Sequence, residues 1–279
     1  MNTTSQRLTG TQLIHSMLLF FGAFLFAFSL NSYIIHEAGH AFGGVLFGCQ
    51  FEGFNVNPFG VGGWRDQCPA TMTLTGKFIR GMGGEIFGLP LSITVTLLLW
   101  RKRSPMLLPL LMSATVVCIG NVFSVLDSVT SYPNFPYDYG WVFQVGLPPL
   151  ILWAIAIASL VFGIILMNLL TPLAGIGISE PFWKVLILNL STWSLFGAIR
   201  LIYQSQIGIS IAVSSGILIW GVILAMLTAL TFKLVYKLAN QIDHIEPVLP
   251  SPGEVWLAIG LGVGLTVLLV VSNPIWLGI

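Results

Sequence analysis

The chain of 279 residues is 56% hydrophobic and only 8% charged, with a mean hydropathy of +0.91. A soluble domain charges about a quarter of its residues, so a water-covered surface is excluded and a bilayer is the expected solvent. The net charge of +1 leaves no basic excess to neutralise phosphates, which excludes nucleic acid and leaves lipid and other membrane proteins as partners.

Residues 1–12 form an N-terminal tail containing Arg7. The apolar stretch 13–47 then runs without a polar stop, well beyond the roughly 7 to 15 residues of a signal-peptide core. It reads as a first membrane span. A span needs about 20 largely apolar residues, and six further stretches qualify: 78–100, 106–125, 148–170, 182–203, 212–236 and 255–271. Trp100, Trp183, Trp256 and Trp276 stand at their ends, where an interfacial aromatic belt is expected. The fold class is therefore an all-α polytopic membrane protein with about seven transmembrane helices, six being possible. Two connections are long. Residues 48–77 hold a glycine-rich, partly alternating run that suggests a small membrane-associated β-hairpin or a re-entrant loop. Residues 128–147 hold Tyr132-Pro133-Asn134-Phe135-Pro136-Tyr137-Asp138-Tyr139, a turn-rich aromatic loop. The expected organisation is a tail (1–12), a three-helix core (13–128), a connecting loop (129–147) and accessory helices (148–279). Of the three cysteines, Cys49 and Cys68 flank one loop and could bridge if it lies outside the cytoplasm, while Cys118 stands apart.

The first span carries His36-Glu37-Ala38-Gly39-His40. With four histidines and six glutamates in the chain, such a pattern arises by chance on the order of once in a thousand sequences. Ionisable groups at membrane depth persist where they pair, bind ions or catalyse. His36 and His40 are four residues apart, so both project from one helix face and can grip a single ion. One Zn2+ suits two imidazoles and a third ligand, with a coordination position left for water. Glu37 is the expected general base, taking a proton from the attacking water and acting afterwards as acid. Ala38 and Gly39 leave room for a neighbouring helix or a substrate. Buried histidines satisfied by hydrogen bonds, or a structural zinc clamp, are the alternatives, but a structural site closes with four protein ligands and has no use for Glu37.

Only Asp127, Glu85 and Asp138 are acidic residues near membrane depth in the same half of the chain. Asp127 ends the third span on the membrane side of His40 and is the expected third ligand. Glu85, at the start of the second span, is the alternative metal ligand or a group behind the ligands.

These residues resemble the site-2 protease family of intramembrane zinc metalloproteases. In that family H-E-x-x-H lies on one core helix, and an aspartate in an Asn…Leu-Asp-Gly context completes the zinc site from a later one. Asn121-Val122-Phe123-Ser124-Val125-Leu126-Asp127-Ser128 resembles the second motif, with closer Asn-to-Asp spacing and Ser128 in place of glycine. Asn57-Pro58-Phe59-Gly60-Val61-Gly62-Gly63-Trp64 is similar to the family's Pro-x-Gly-Gly-Tyr region, a membrane-associated strand that meets substrate. Gly81-Met82-Gly83-Gly84-Glu85 occupies the place of the small-residue start of the second core helix. The resemblance covers residues 30–130 and implies zinc held by His36, His40 and Asp127, with Glu37 catalytic. It also implies substrate contact at Asn121, Asn57, Pro58, Gly62 and Gly63, with Asn121 binding substrate or an oxyanion.

The expected function is hydrolysis of peptide bonds within or next to transmembrane segments of membrane protein substrates. The alternative is a non-proteolytic membrane metalloprotein or pseudoprotease that binds membrane proteins. A transporter would also suit buried ionisable groups, but the last four spans are nearly free of charge. Orientation stays open. The N-terminal side collects Arg7, Arg101, Lys102, Arg103, Lys184, Lys233 and Lys237 against Arg65, Lys77, Arg80 and Arg200 opposite, which favours a cytoplasmic N-terminus, whereas the family opens its site toward the cytosol.

Overall fold

The structure, a computed structural model, describes residues 8–55, 63–131, 138–146, 148–206, 211–243 and 245–276. In lipid, backbone polar groups must be satisfied within their own segment, and helices dominate accordingly. In chain order they are α1 (Gly10–Ser29), α2 (His36–Leu46), α3 (Leu74–Gly81), α4 (Leu89–Trp100), α5 (Leu108–Leu111) and α6 (Ser113–Ser131). There follow α7 (Gly140–Gln144), α8 (Pro149–Leu170), α9 (Phe182–Gln206), α10 (Ile211–Ile242) and α11 (Pro252–Trp276). Among the described residues six helical runs are long and apolar enough to cross a membrane: Gly10–Leu46, Pro105–Leu126, Pro149–Ala174, Phe182–Ile199, Leu218–Ile242 and Pro252–Ser272. The pair Leu74–Gly81 and Gly84–Trp100, bent by 58°, makes a seventh if it is one span. The all-α polytopic architecture expected from hydropathy is thus the one observed. Apolar side chains such as Leu98, Leu150 and Ile157 are exposed on these helices, as helices bathed in lipid tails require.

Two helical runs widen locally into π-helix, at Leu30–Ile35 between α1 and α2 and at Gly84–Gly88 ahead of α4. Such single wide turns shift the register of the helix beyond them and recur at functional sites. Asn31 of the first accepts a hydrogen bond from Ser92 of α4 at 2.5 Å, so a buried polar group of the widened turn is satisfied across the interface.

After α2 the chain turns at Gly48, whose φ of +84° is the left-handed conformation that ends helices without steric cost to glycine. An antiparallel hairpin follows, β1 (Gln50–Asn55) with β2 (Gly63–Gln67), pairing Phe51 with Asp66 and Phe54 with Trp64, and bulged between Phe51 and Gly53. Cys49 and Cys68, immediately before β1 and after β2, form a disulfide that closes the base of the hairpin.

The described residues divide into two compact units. One comprises those of Met1–Ala27, Leu99–Met112 and Ile164–Gly264; the other, those of Phe28–Leu98, Ser113–Gly163 and Leu265–Ile279. In the first, Phe24 packs edge-on against Trp193 and Phe196, with centroids 4.8 and 5.2 Å away. Its buried Lys184 and Glu180 pair at 2.6 Å. Lys184 also donates to the Leu8 carbonyl, and Glu180 accepts from the Leu8 N–H.

The second unit contains the motif. Its central feature is a backbone contact: a Cβ placed on Gly39 would lie 2.4 Å from the Gly83 carbonyl oxygen, and one on Gly83 would lie 2.3 Å from that of Gly39. Here α2 meets the break between α3 and the π-helical turn with no side chain between. Gly83→Ala should therefore destabilise the protein by about 1 to 3 kcal/mol or more, lowering its unfolding midpoint in detergent by several degrees. Gly260→Ala, where nothing lies within 4 Å of the new atom, should leave the midpoint unchanged; equal shifts would refute this account of the contact.

Candidate metal centre

His36 opens α2 directly after the π-helical turn, and His40 follows one turn later. Their rings meet edge to face with centroids 4.6 Å apart, and their Nε2 atoms are 3.0 Å apart. His40 is fully buried, and its Nδ1 lies 2.9 Å from the main-chain carbonyl of Arg80. A carbonyl only accepts, so Nδ1 carries a proton and Nε2 is the nitrogen turned toward His36 and Asp138. That carbonyl is available because Arg80 lies in the last turn of α3, where carbonyls lose their helical partners.

Asp138 completes the cluster from a different part of the sequence. Its Oδ2 is 3.2 Å from His36 Nε2, and its Oδ1 is 3.3 Å from His40 Nε2. Tyr139 and Val142, which come after it, are buried with Met82, Val125, Leu152 and Ala156, and Trp141 packs on this group. A Cβ on Gly81 would overlap the Trp141 ring at 2.0 Å, so the bare backbone at the end of α3 is what admits α7 and draws Asp138 to the histidines. Burial acts to raise the Asp138 carboxyl, but hydrogen bonds and charge from His36 and His40 outweigh it and hold the group below the usual carboxylate range.

Glu85, on the second π-helical turn, places Oε1 4.0 Å from His36 Nδ1. Gly84 beside it leaves room for the His36 ring, which a Cβ there would strike at 2.3 Å. Glu85 is 6% exposed, and neither of its carboxylate oxygens has a hydrogen-bond partner. A buried carboxylate left this way is costly unless a cation or a proton compensates it.

His36, His40, Glu85 and Asp138 each offer one donor atom, all within 4.8 Å of one another, and the group could hold a metal ion. Around one ion with ligand bonds of about 2.1 Å, tetrahedral geometry separates donor atoms by about 3.4 Å. The observed 3.0, 3.2 and 3.3 Å separations lie near that value. The donors are nitrogen and oxygen without thiolate, a set suited to zinc and to harder divalent ions. A second potential cluster, Cys49, Asp66 and Cys68, is spent otherwise, since its sulfurs are bonded to each other and Asp66 pairs with Arg80.

Glu37 is 5% exposed, its Oε2 has no hydrogen-bond partner, and its charge interacts with those of His36, His40 and Asp138. Yet it is not one of the four converging donors. On the other side of His36 a cavity of about 110 Å³ is lined by Asn31, Asn121 and Ser124 among others, room for several waters. Asn121 is buried on α6, and its Nδ2 has no partner.

Of the residues singled out in sequence, the structure brings together His36, His40 and Glu85, sets Glu37 beside them, and puts Asn121 in the adjoining cavity. Gly63 begins β2 with open space around it. The side chain of Asp127, on α6, and residues Asn57, Pro58 and Gly62 lie outside the described residues. The carboxylate described at both histidines is that of Asp138, one of the three acidic candidates but not the one preferred. Its signal in sequence was an acid between two tyrosines in an otherwise aromatic loop. Trp64 was marked only as the end of the hairpin motif, and Asp66 and Arg80, which hold it beside His40, carried no signal as site residues.

Metal analysis of purified protein checks the ligand set. Asp138→Ala and His40→Ala should each reduce bound divalent metal by about tenfold or more, and Asp127→Ala should retain it. Retention in Asp138→Ala with loss in Asp127→Ala would restore Asp127 as the ligand. No protein-family model matches the chain, nor does any curated protein or solved structure.

Proposed function

We propose that this chain is an intramembrane zinc metalloprotease that hydrolyses peptide bonds within or next to transmembrane segments of other membrane proteins. The observation that carries the reading is Glu37, a buried carboxylate with a free oxygen, next to the converging donors but not among them. A purely structural metal site has no use for it. The H-E-x-x-H pattern and its resemblance to the site-2 protease family supply the reaction class.

A divalent metal bound there would act as a Lewis acid toward water and a peptide carbonyl. Glu37 accepts the proton of the attacking water and returns it to the amine nitrogen as the peptide bond breaks. His40 keeps its lone pair toward the centre because its other nitrogen is committed to the Arg80 carbonyl. Asn121 offers a free N–H in the adjoining polar cavity, where it can hold water or a substrate carbonyl.

A substrate helix must unwind before attack, since its carbonyls are already hydrogen-bonded and covered. The hairpin offers strand edges for an extended segment. Against the outer face of the motif helix, an apolar cavity of about 330 Å³ is bounded by Ile34, Ala38, Phe54 of β1 and Leu265, Leu268 and Leu269 of α11. It suits apolar side chains flanking the scissile bond. The Cys49–Cys68 disulfide favours placing the hairpin on the oxidising side of the membrane, in line with the excess of Lys and Arg on the N-terminal side.

Reconstitution with a reporter carrying one transmembrane helix tests the reading. Glu37→Gln should lower cleavage by about 10² to 10⁴-fold with metal content unchanged; undiminished cleavage would exclude the mechanism, and absence of cleavage by the wild type would favour a pseudoprotease. Ala38→Phe, which fills the apolar cavity, should raise KM by about tenfold with metal retained.

A further inference from the structure

The sulfurs and side chains around His40 form a closed circuit. The Trp64 ring lies flat on the His40 imidazole, with centroids 4.1 Å apart and planes 5° from parallel. Trp64 donates its indole N–H to Asp66 Oδ2 at 3.2 Å. The Asp66 side chain, 1% exposed, takes a two-pronged ion pair from Arg80, with Nε 2.8 Å from Oδ2 and Nη2 2.5 Å from Oδ1. The Arg80 guanidinium stands 5.3 Å over the Trp64 ring, and the same residue's carbonyl receives the His40 Nδ1–H. The stack on His40 and the contact at its Nδ1 therefore come from β2 and the end of α3, while its Nε2 faces His36 and Asp138.

What seats β2 there is the disulfide. Cys49 comes just after the end of α2, where its N–H bonds to the Gly44 carbonyl at 3.1 Å. It is tied to Cys68 next to β2, across a separation of 19 residues. Gly44 has no Cβ because Asp66 Oδ2 would lie 2.7 Å from it, so β2 rests directly on α2.

We propose that Trp64, Asp66 and Arg80, held in place by the Cys49–Cys68 disulfide, are positioning residues that lock His40 as a metal ligand, so that reduction of the disulfide loosens the metal. The inference rests on the metal-centre reading of His36, His40, Glu85 and Asp138. In a cell the reductant would be a dithiol, which gives two electrons and two protons to the bridge, leaves Cys49 and Cys68 as thiols, and ends as a disulfide itself. The hairpin then keeps its strand pairing and the Asp66–Arg80 ion pair but loses the covalent tie at its base, which loosens the seat of Trp64 and Asp66 on α2.

The test uses the full chain in lipid nanodiscs loaded with Zn2+, with metal loss to an excess of chelator followed over time. A phosphine serves as reductant because it does not bind zinc as thiols do; water supplies the oxygen of the phosphine oxide and the protons of the two thiols. Reduction should speed metal loss by about 10 to 100-fold, as should Trp64→Ala, in line with the usual effect of removing a group behind a ligand. Trp64→Phe, which keeps the stack, should stay within about threefold of wild type on the same scale. Unchanged rates on reduction and in Trp64→Ala overturn the inference. A second readout, 15N NMR of histidine-labelled, metal-free protein, should show His40 protonated on Nδ1 when the bridge is intact and a mixture of tautomers after reduction. If the wild type holds no metal yet the tautomer shifts on reduction, the metal-centre reading fails and the positioning role stands. If metal is held and neither rate nor tautomer responds, the positioning role fails alone. Because reduction acts on protein already folded, misfolding of a Cys49→Ser/Cys68→Ser variant would not obscure the result.

Discussion

The contact of bare backbone between Gly39 and Gly83 is the constraint that makes the site possible. Two helices with ordinary side chains at their crossing stand 8 to 10 Å apart, which puts the main-chain carbonyls of one beyond the reach of a histidine on the other. With no Cβ on either glycine, α2 sits against the break between α3 and the widened turn. That one approach has three consequences. The Arg80 carbonyl reaches His40, Glu85 comes within range of His36, and Gly84 leaves the His36 ring its place. Small residues at helix interfaces in membranes usually serve packing alone; here the packing also sets distances between donor atoms.

Charge gives the second organising pressure. Buried carboxylates persist only when compensated, and the molecule treats them in two ways. Glu180 is closed off by Lys184 and the Leu8 backbone, an arrangement that anchors a chain segment and has nothing left to bind. Glu85 and Glu37 are instead left with unpartnered oxygens beside two imidazoles and Asp138. The first is a finished structural pair. The second is a cluster that could hold a metal ion.

The hairpin packs its second strand against this cluster. Its strands are short, and two strands alone are marginally stable, so the disulfide at its base and the Asp66–Arg80 ion pair do much to hold it. The stack of Trp64 on His40 makes the state of the hairpin and the geometry of the centre a single variable.

Hydropathy alone determined the spans, because the cost of unsatisfied backbone in lipid is met segment by segment and leaves a local mark in the sequence. The same holds for His36, Glu37 and His40, whose spacing is a property of one helix turn. Glu85 could be picked out because few acids occur at that depth. The hairpin was legible from its glycines and the bridge was offered by the two flanking cysteines, though the bulge was not. What completes the centre was decided by tertiary structure. Asp138 lies about a hundred positions from the histidines and arrives only because Trp141 packs into the space over Gly81 and buries Tyr139 and Val142. The grip on His40 by Trp64, Asp66 and the Arg80 carbonyl likewise joins a strand, a helix end and a disulfide. Sequence periodicity records which face of an element is apolar; it does not record which residue of a distant loop that face will meet.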